Sequence, residues 1–411
     1  MNTNDYDVAI VGGGLVGASL ALALADTRLR VVLIEAVAPE SAAQPSFDER
    51  TTALGNGSRR IFEALGIWPD VAAEAGPIET IHISDAGRFG FARLRAAEQG
   101  IDAFGYVVPN RVLGAALWRQ LRKTAVHLEV PACPREVMLN DDVARLMLDS
   151  GAPLTASLVI AADGAESRVR AAAAIDATVK DYAQMALVTT LQTSEPHRRI
   201  AYERFTRSGP IALLPLASGR FGAIWTLPPP QAAAMMSADE PLFLRELQHV
   251  FGWRAGRLEA VGRRSVYPLR LTQASAMRAA RSVLIGNAAQ TLHPVAGQGF
   301  NLGLRDAAML AEVLVQVPAG SDVGAPEVLE RFSQWRAQDR RGVIGFTDGL
   351  VRLFGDSRLG MGAVRDVGLL LFDLAPAAKR ELARVSTGFG GRMPRLARGL
   401  PLATLVGRGP S

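Results

Sequence analysis

An α/β fold is predicted by three junctions at which a short apolar strand runs into a glycine-containing turn and then a helix. Residues 6–11 lead into Gly12-Gly13-Gly14-Leu15-Val16-Gly17 and the helical run ASLALALAD. Residues 157–162 lead into DGAESRVR, and residues 282–285 into GNAAQTLHPVAGQGFNLGLRD. Strand, turn and helix in that order build parallel strands joined by helices.

The first junction has the spacing GxGxxG. Gly12 permits a tight turn, Gly14 lets the backbone approach a pyrophosphate, and Gly17 lets the helix pack closely on the strand. A second strand, residues 30–34, ends at Glu35, whose carboxylate can accept hydrogen bonds from both ribose hydroxyls of an adenosine. Such a glycine pattern alone is often just a turn. With both strands, the helix and Glu35 in place it predicts a Rossmann-like dinucleotide site. A carboxylate there repels a 2′-phosphate, which leaves FAD or NAD rather than NADP.

The second junction reads DGxxSxxR: Asp163 and Gly164 at a strand end, Ser167 as a helix cap, and Arg170 a turn along. The third feeds a Gly-rich turn into an apolar helix. Its backbone N–H groups and positive dipole end suit an anion or an electron-rich ring.

Composition narrows the function classes. With 49% hydrophobic and 21% charged residues over 411, the chain can bury a large core and make about two domains. Net charge is only +5, and no Lys/Arg block is interleaved with aromatics, which argues against nucleic acid and for at most mild attraction to anionic membrane lipid. The single cysteine, Cys133, can form neither an intramolecular disulfide nor a thiolate metal cluster, and fits a reducing compartment. The opening MNTNDYDVAIVGGG has no basic n-region, and the late apolar run 367–374 is far shorter than the roughly 20 residues of a membrane span. The expected location is cytoplasmic, with peripheral contact at the inner membrane left open.

Together, GGGLVG with Glu35, DGAESRVR and GNAAQTLHPVAGQGFNLGLRD resemble the three FAD fingerprints of the class A aromatic-ring flavoprotein monooxygenases. HPVAGQGFNLGLRD resembles the signature of the ubiquinone-biosynthesis hydroxylases among them. The segments PESAAQPSFDERTTALGNGSRRIFEALGIW, ERFTRSGPIALLPL and FGWRAGRLEAVGRRSVYPLRLT are most similar to the bacterial 2-polyprenyl-6-methoxyphenol hydroxylases. The likeness covers roughly residues 5–360.

The resemblance implies roles for particular residues. Gly12, Gly14, Gly17 and Glu35 would hold the ADP half of FAD, and Arg50 and Arg111 would approach the pyrophosphate and flavin side. Asp163, Gly164 and Arg170 would brace the pyrophosphate region and a transient NAD(P)H. Gly286, Asn287, Pro294, Gly297, Gln298, Gly299 and Asn301 would line the ribityl chain and isoalloxazine. Most of the superfamily has Gly-Asp where this chain has Gly286-Asn287; the amide oxygen can still accept a ribityl hydroxyl, without charge. Catalytic candidates are His293, Pro294, Gly297 and Gln298. His293 could handle protons near neutral pH, while a purely structural His-Pro turn is the plainer reading. His82, His127, His197 and His249 are scattered and read as structural or exposed. No metal site is expected.

By the same resemblance, the chain would use FAD, O₂ and NAD(P)H or another electron donor. It would hydroxylate 2-polyprenyl-6-methoxyphenol to the 1,4-benzoquinol through a flavin C4a-hydroperoxide. Another ring position, a soluble phenol, and a flavoprotein scaffold for a lipid-biosynthetic complex are the alternatives. Partners to expect are the polyprenyl phenol, other ubiquinone-biosynthesis proteins, a membrane surface and a second copy of the chain.

The alternating segments imply interleaved domains: residues 1–74, 101–180 and 268–325 for FAD, 75–100 and 181–267 as a β-sheet substrate domain, and 326–411 as a C-terminal helical region and tail. Phe205, Ile211, Leu213, Leu214, Phe221 and Trp225 could line a slot for a prenyl chain, with core packing as the plainer account. Apolar residues 350–354 and 369–372 could meet a membrane or a partner, or pack back onto the FAD domain.

Overall fold

The computed structural model describes residues 4–41, 44, 46–47, 50–292, 297–337, 373, 375, 379–380 and 392–402. His293, Pro294 and most of the C-terminal helical stretch lie outside the described residues.

Three sheets organise the described residues. In the first, the strands Tyr6–Val11, Pro153–Ala161 and Ser282–Leu284 lie side by side and parallel, with Val31–Ile34 and His127–Glu129 continuing beyond Tyr6–Val11. Their ends are in register: Val11 pairs with both Ala161 and Ile34, and Ala161 pairs with Leu284. All three glycine-containing turns therefore leave the same edge. Successive crossovers run to opposite sides of Tyr6–Val11, so the edge has a topological switch point, where open α/β sheets take ligands.

Helix Leu15–Leu24 is buried nearly all round because it is enclosed by this sheet and by helices Asn110–Leu121 and Gln298–Val315. Leu20 and Leu24 are fully buried, each stabilising the layer by about 1.5–3 kcal/mol. Among the described residues no side chain caps its N-terminus at Gly14, which leaves its first N–H groups to the sheet edge.

The second sheet has nine strands and is largely antiparallel. Strands Ala177–Thr193, Phe221–Leu227, Gly209–Pro215 and Ile200–Thr206 form its centre, and Thr80–Asp85 joins parallel to Ile200–Thr206. Ser265–Ala274 pairs along Ala177–Thr193, so the expected boundaries near 180 and 268 both fall inside strands of this sheet. On one face, Leu213, Phe221 and Trp225 pack against Phe243, Leu247 and Phe251 of helix Glu240–Phe251. A three-stranded sheet, Thr51–Gly55, Gly105–Pro109 and Gly76–Ile78, lies against the other face through Val107, Ile78 and Ala201.

Candidate active site

A cavity of about 900 Å³ runs along the aligned edge of the parallel sheet. Gly12, Gly14, Glu35, Arg50, Asp163, Gly164, Arg170, Gly286, Asn287 and Gly299 all line it. The turn at Gly12 has φ +104°, and a Cβ there would sit 2.4 Å from the Ala162 carbonyl oxygen. At Gly17 a Cβ would be 1.9 Å from the Gly12 carbonyl oxygen, so that position holds the helix against the strand and does not itself line the cavity.

Glu35 is buried and already engaged. Its carboxylate accepts the Gly13 N–H on one oxygen, and the Val37 N–H (2.9 Å) and Gln44 side-chain amide (3.3 Å) on the other. A carboxylate has about four acceptor sites, so one remains for a ribose hydroxyl, where two such bonds were expected. Trp118 closes the turn from behind, donating its indole N–H to the Gly13 carbonyl at 3.0 Å. Gly13 is thereby as constrained as its neighbours: a Cβ there would be 2.5 Å from the Trp118 ring.

At the second turn, one Asp163 oxygen accepts the N–H of Arg168 (2.8 Å), while the other is buried without a partner among the described residues. Ser167 caps the short helix by accepting the Arg170 N–H at 3.0 Å. The Arg170 guanidinium donates to the Ala165 (2.6 Å) and Ala288 (2.9 Å) carbonyls, tying the second turn to the third.

The third turn is held from below. Asp306 is fully buried in the middle of helix Gln298–Val315 and not at its start; it accepts the Gly286 N–H (3.2 Å) and the Gln290 amide (3.3 Å) and pairs with Arg336. Gly297, at φ +60°, sits at the N-terminus of that helix, which among the described residues no side chain caps.

Three expected site residues lie elsewhere. Arg111 is exposed on helix Asn110–Leu121 and lines neither cavity described here, because helical rotation turns Asn110 inward instead. Gln298 and Asn301 are buried and line neither cavity, whereas Gly299 and Phe300 line both. Asn301 is spent on the scaffold: its amide oxygen accepts from Gly55 N–H and Ser58 Oγ, and its NH₂ donates to Ala53 and Gly297 carbonyls.

A second cavity of about 350 Å³ adjoins the first and shares Arg50, Thr52, Asn110, Leu292, Gly299 and Phe300 with it. Its far wall is one face of the nine-stranded sheet, including Ala201, Ala212, Leu214 and Ile224. Of the residues expected to line a prenyl slot, only Leu214 lines this cavity. Ile211, Leu213, Phe221 and Trp225 belong to the core cluster under the helices, because alternate strand residues point to opposite faces. Phe205 is buried and lines neither cavity. Among the wall residues is Glu203, to which the sequence drew no attention.

The cavity fits an extended dinucleotide with a flat ring: two uncapped helix N-termini face one edge, backed by a glycine cradle and an orphaned carboxylate oxygen. The sequence pattern of the FAD-binding domain family matches residues 5–347. The chain belongs to this family. Within it, the protein is 37% identical over 410 residues to ubiquinone hydroxylase UbiL of Rhodospirillum rubrum, covering 96% of this chain and 93% of that one. It is 31% identical to 3-demethoxyubiquinol 3-hydroxylase of Escherichia coli, covering 94% and 100% of the two chains. These relatives place it among the FAD-dependent ubiquinone-biosynthesis hydroxylases. The crystal structure of p-nitrophenol 4-monooxygenase PnpA from Pseudomonas putida has the same fold, with a TM-score of 0.77 at 20% identity over 93% of this chain and 98% of that one. The protein is thus an FAD-dependent aromatic-ring hydroxylase. No described helix is long and apolar enough to cross a membrane.

Proposed function

We propose that this FAD-dependent hydroxylase acts on a polyprenylated methoxyphenol, converting 2-polyprenyl-6-methoxyphenol to the 1,4-benzoquinol. The observation that carries the reading is the smaller, mainly apolar cavity sharing a wall with the FAD cavity at Gly299 and Phe300. An aromatic headgroup there would lie against the flavin-side turn, with few polar groups to orient it, the usual economy of small-molecule sites. Bound FAD, reduced by NAD(P)H, supplies the activated oxygen. The chain's own part is to hold the ring, exclude water and place charge: Arg50 stands at the seam, 4.7 Å over the Tyr267 ring.

The name of the Escherichia coli relative specifies position 3 of a demethoxyubiquinol, and that position is the second reading. Purified FAD-loaded protein, NAD(P)H and a set of prenylated phenols test the choice, with product position read by mass spectrometry and NMR. Hydroxylation of 2-polyprenyl-6-methoxyphenol at the ring carbon para to the hydroxyl is expected. Turnover restricted to a demethoxyubiquinol would move the assignment to position 3. Contact with a membrane or with other enzymes of the pathway belongs to the same proposal and is read by vesicle flotation of the full chain.

A further inference from the structure

We infer that the Glu203 carboxylate receives the phenol proton of the substrate in the smaller cavity. The inference rests on the proposed phenol hydroxylation and adds a residue to it.

The geometry isolates this side chain. Glu203 lies on strand Ile200–Thr206, in register with Ile83 on one side and Ala212 on the other, and Ala212 in turn pairs with Ile224. A carboxylate is thus set in an otherwise apolar row of the cavity wall. Among the described residues it has neither a hydrogen-bond partner nor an ion pair. Its chain neighbours do not serve it: the Tyr202 hydroxyl donates to the Arg254 carbonyl and the Arg204 guanidinium to the Val250 carbonyl. The other charged residue lining this cavity, Arg50, is placed over Tyr267.

Glu203 is half-buried and its carboxylate faces the cavity rather than a protein donor, so a ligand held there can supply the hydrogen bond. A phenol O–H is such a donor, on the ring that the cavity would hold. Burial pushes the Glu203 carboxyl up to about 8. A free carboxylate is too weak a base for a phenol near 10, whereas one raised this far approaches the phenol's own affinity for protons. In the step, the phenol O–H bond breaks, its electron pair stays on oxygen and enriches the ring, and the proton forms a new O–H bond on Glu203. The proton returns when the hydroxylated product is restored to its neutral form.

The test compares wild type with E203Q, both loaded with FAD, using 2-methoxyphenol carrying a farnesyl chain at position 6. Glutamine can still accept the phenol hydrogen bond through its amide oxygen but cannot take the proton. The expected result is a probe dissociation constant, read from the flavin spectrum, within a few-fold of wild type, and a kcat lower by about 100-fold, the usual scale of one proton-transfer group. Wild-type kcat should rise with pH to a plateau above about 8, and E203Q should lack that rise. Equal kcat and an unchanged pH profile in E203Q, with active wild type, would overturn the role of Glu203 alone. If FAD-loaded wild type turns over no phenol, the proposed function itself fails.

Discussion

Arg336 and Asp306 form an ion pair with both side chains fully buried, and the same Asp306 grips the backbone N–H of Gly286. A charge buried in the helix layer thereby fixes the floor of the cofactor cavity from behind. Breaking such a pair by removing one partner costs about 3–5 kcal/mol, because the survivor is left uncompensated. R336L is therefore expected to lower the urea midpoint strongly and to reduce FAD content. Wild-type stability together with full FAD would contradict the clamp.

Gly17 should be intolerant of even one methyl group. G17A places a carbon 1.9 Å from the Gly12 carbonyl oxygen, which forces the helix off the strand and opens the turn at residues 12–14. Flavin absorbance per protein chain should fall to a small fraction of wild type. A fully loaded variant would mean that the helix can shift without cost.

Glu35 contributes through charge. Hydrogen bonds to ionised groups are worth about 1.5–3 kcal/mol, so E35Q should weaken FAD binding roughly 10- to 100-fold in titrations of apoprotein. Q44A removes the side-chain amide from Glu35 without removing charge, and its effect should be smaller. The reverse ranking would assign the effect to Gln44.

Adjacent leucines on strand Gly209–Pro215 should behave oppositely. Leu213 is fully buried under the helices, and L213A should destabilise by about 2–5 kcal/mol. Leu214 faces the smaller cavity, so L214A should change KM with little shift in Tm. Similar thermal shifts in both variants would argue against the assigned faces.

His82 provides a pH signature. Burial, with the nearby charges of Arg254, Arg93 and Arg204, depresses its imidazole to about 4 from 6.5. The unfolded chain binds the extra proton between those values, so stability rises with pH across that window and is complete above 6.5. It is lost as pH falls through about 4. H82F should flatten this slope in urea unfolding at a series of pH values; an unaltered slope would remove His82 from the account.

Much of the fold was legible because backbone geometry forces particular residues into view. Gly12 adopts a left-handed φ, Gly17 admits no Cβ, and apolar strands ending in such turns announce the sheet edge. What stayed hidden depends on side chains meeting across the chain. Asp306 and Arg336 are 30 residues apart, and neither spacing nor composition pairs them. Leu213 and Leu214 could not be assigned to faces because the run ALLP is apolar on both sides and lacks the polar alternation that reveals strand phase. Gln298 and Asn301 line neither cavity because of their phase on the helix Gln298–Val315, whereas neighbouring Gly299 and Phe300 line both. Nothing in the sequence around Glu203 sets it apart; only the strand pairing places it in the cavity wall.

The wall between the cavities has an evolutionary consequence. Arg50, Thr52, Asn110, Leu292, Gly299 and Phe300 border both spaces, so on the proposed function a change at any of them that suits a new substrate would also disturb the cofactor. Residues on the far wall, such as Ala212, Leu214 and Ile224, carry no such double duty. On the proposed function, changes that suit other ring positions or tail lengths would meet least interference on the outer sheet, whereas changes at the seam would bear on both sites at once.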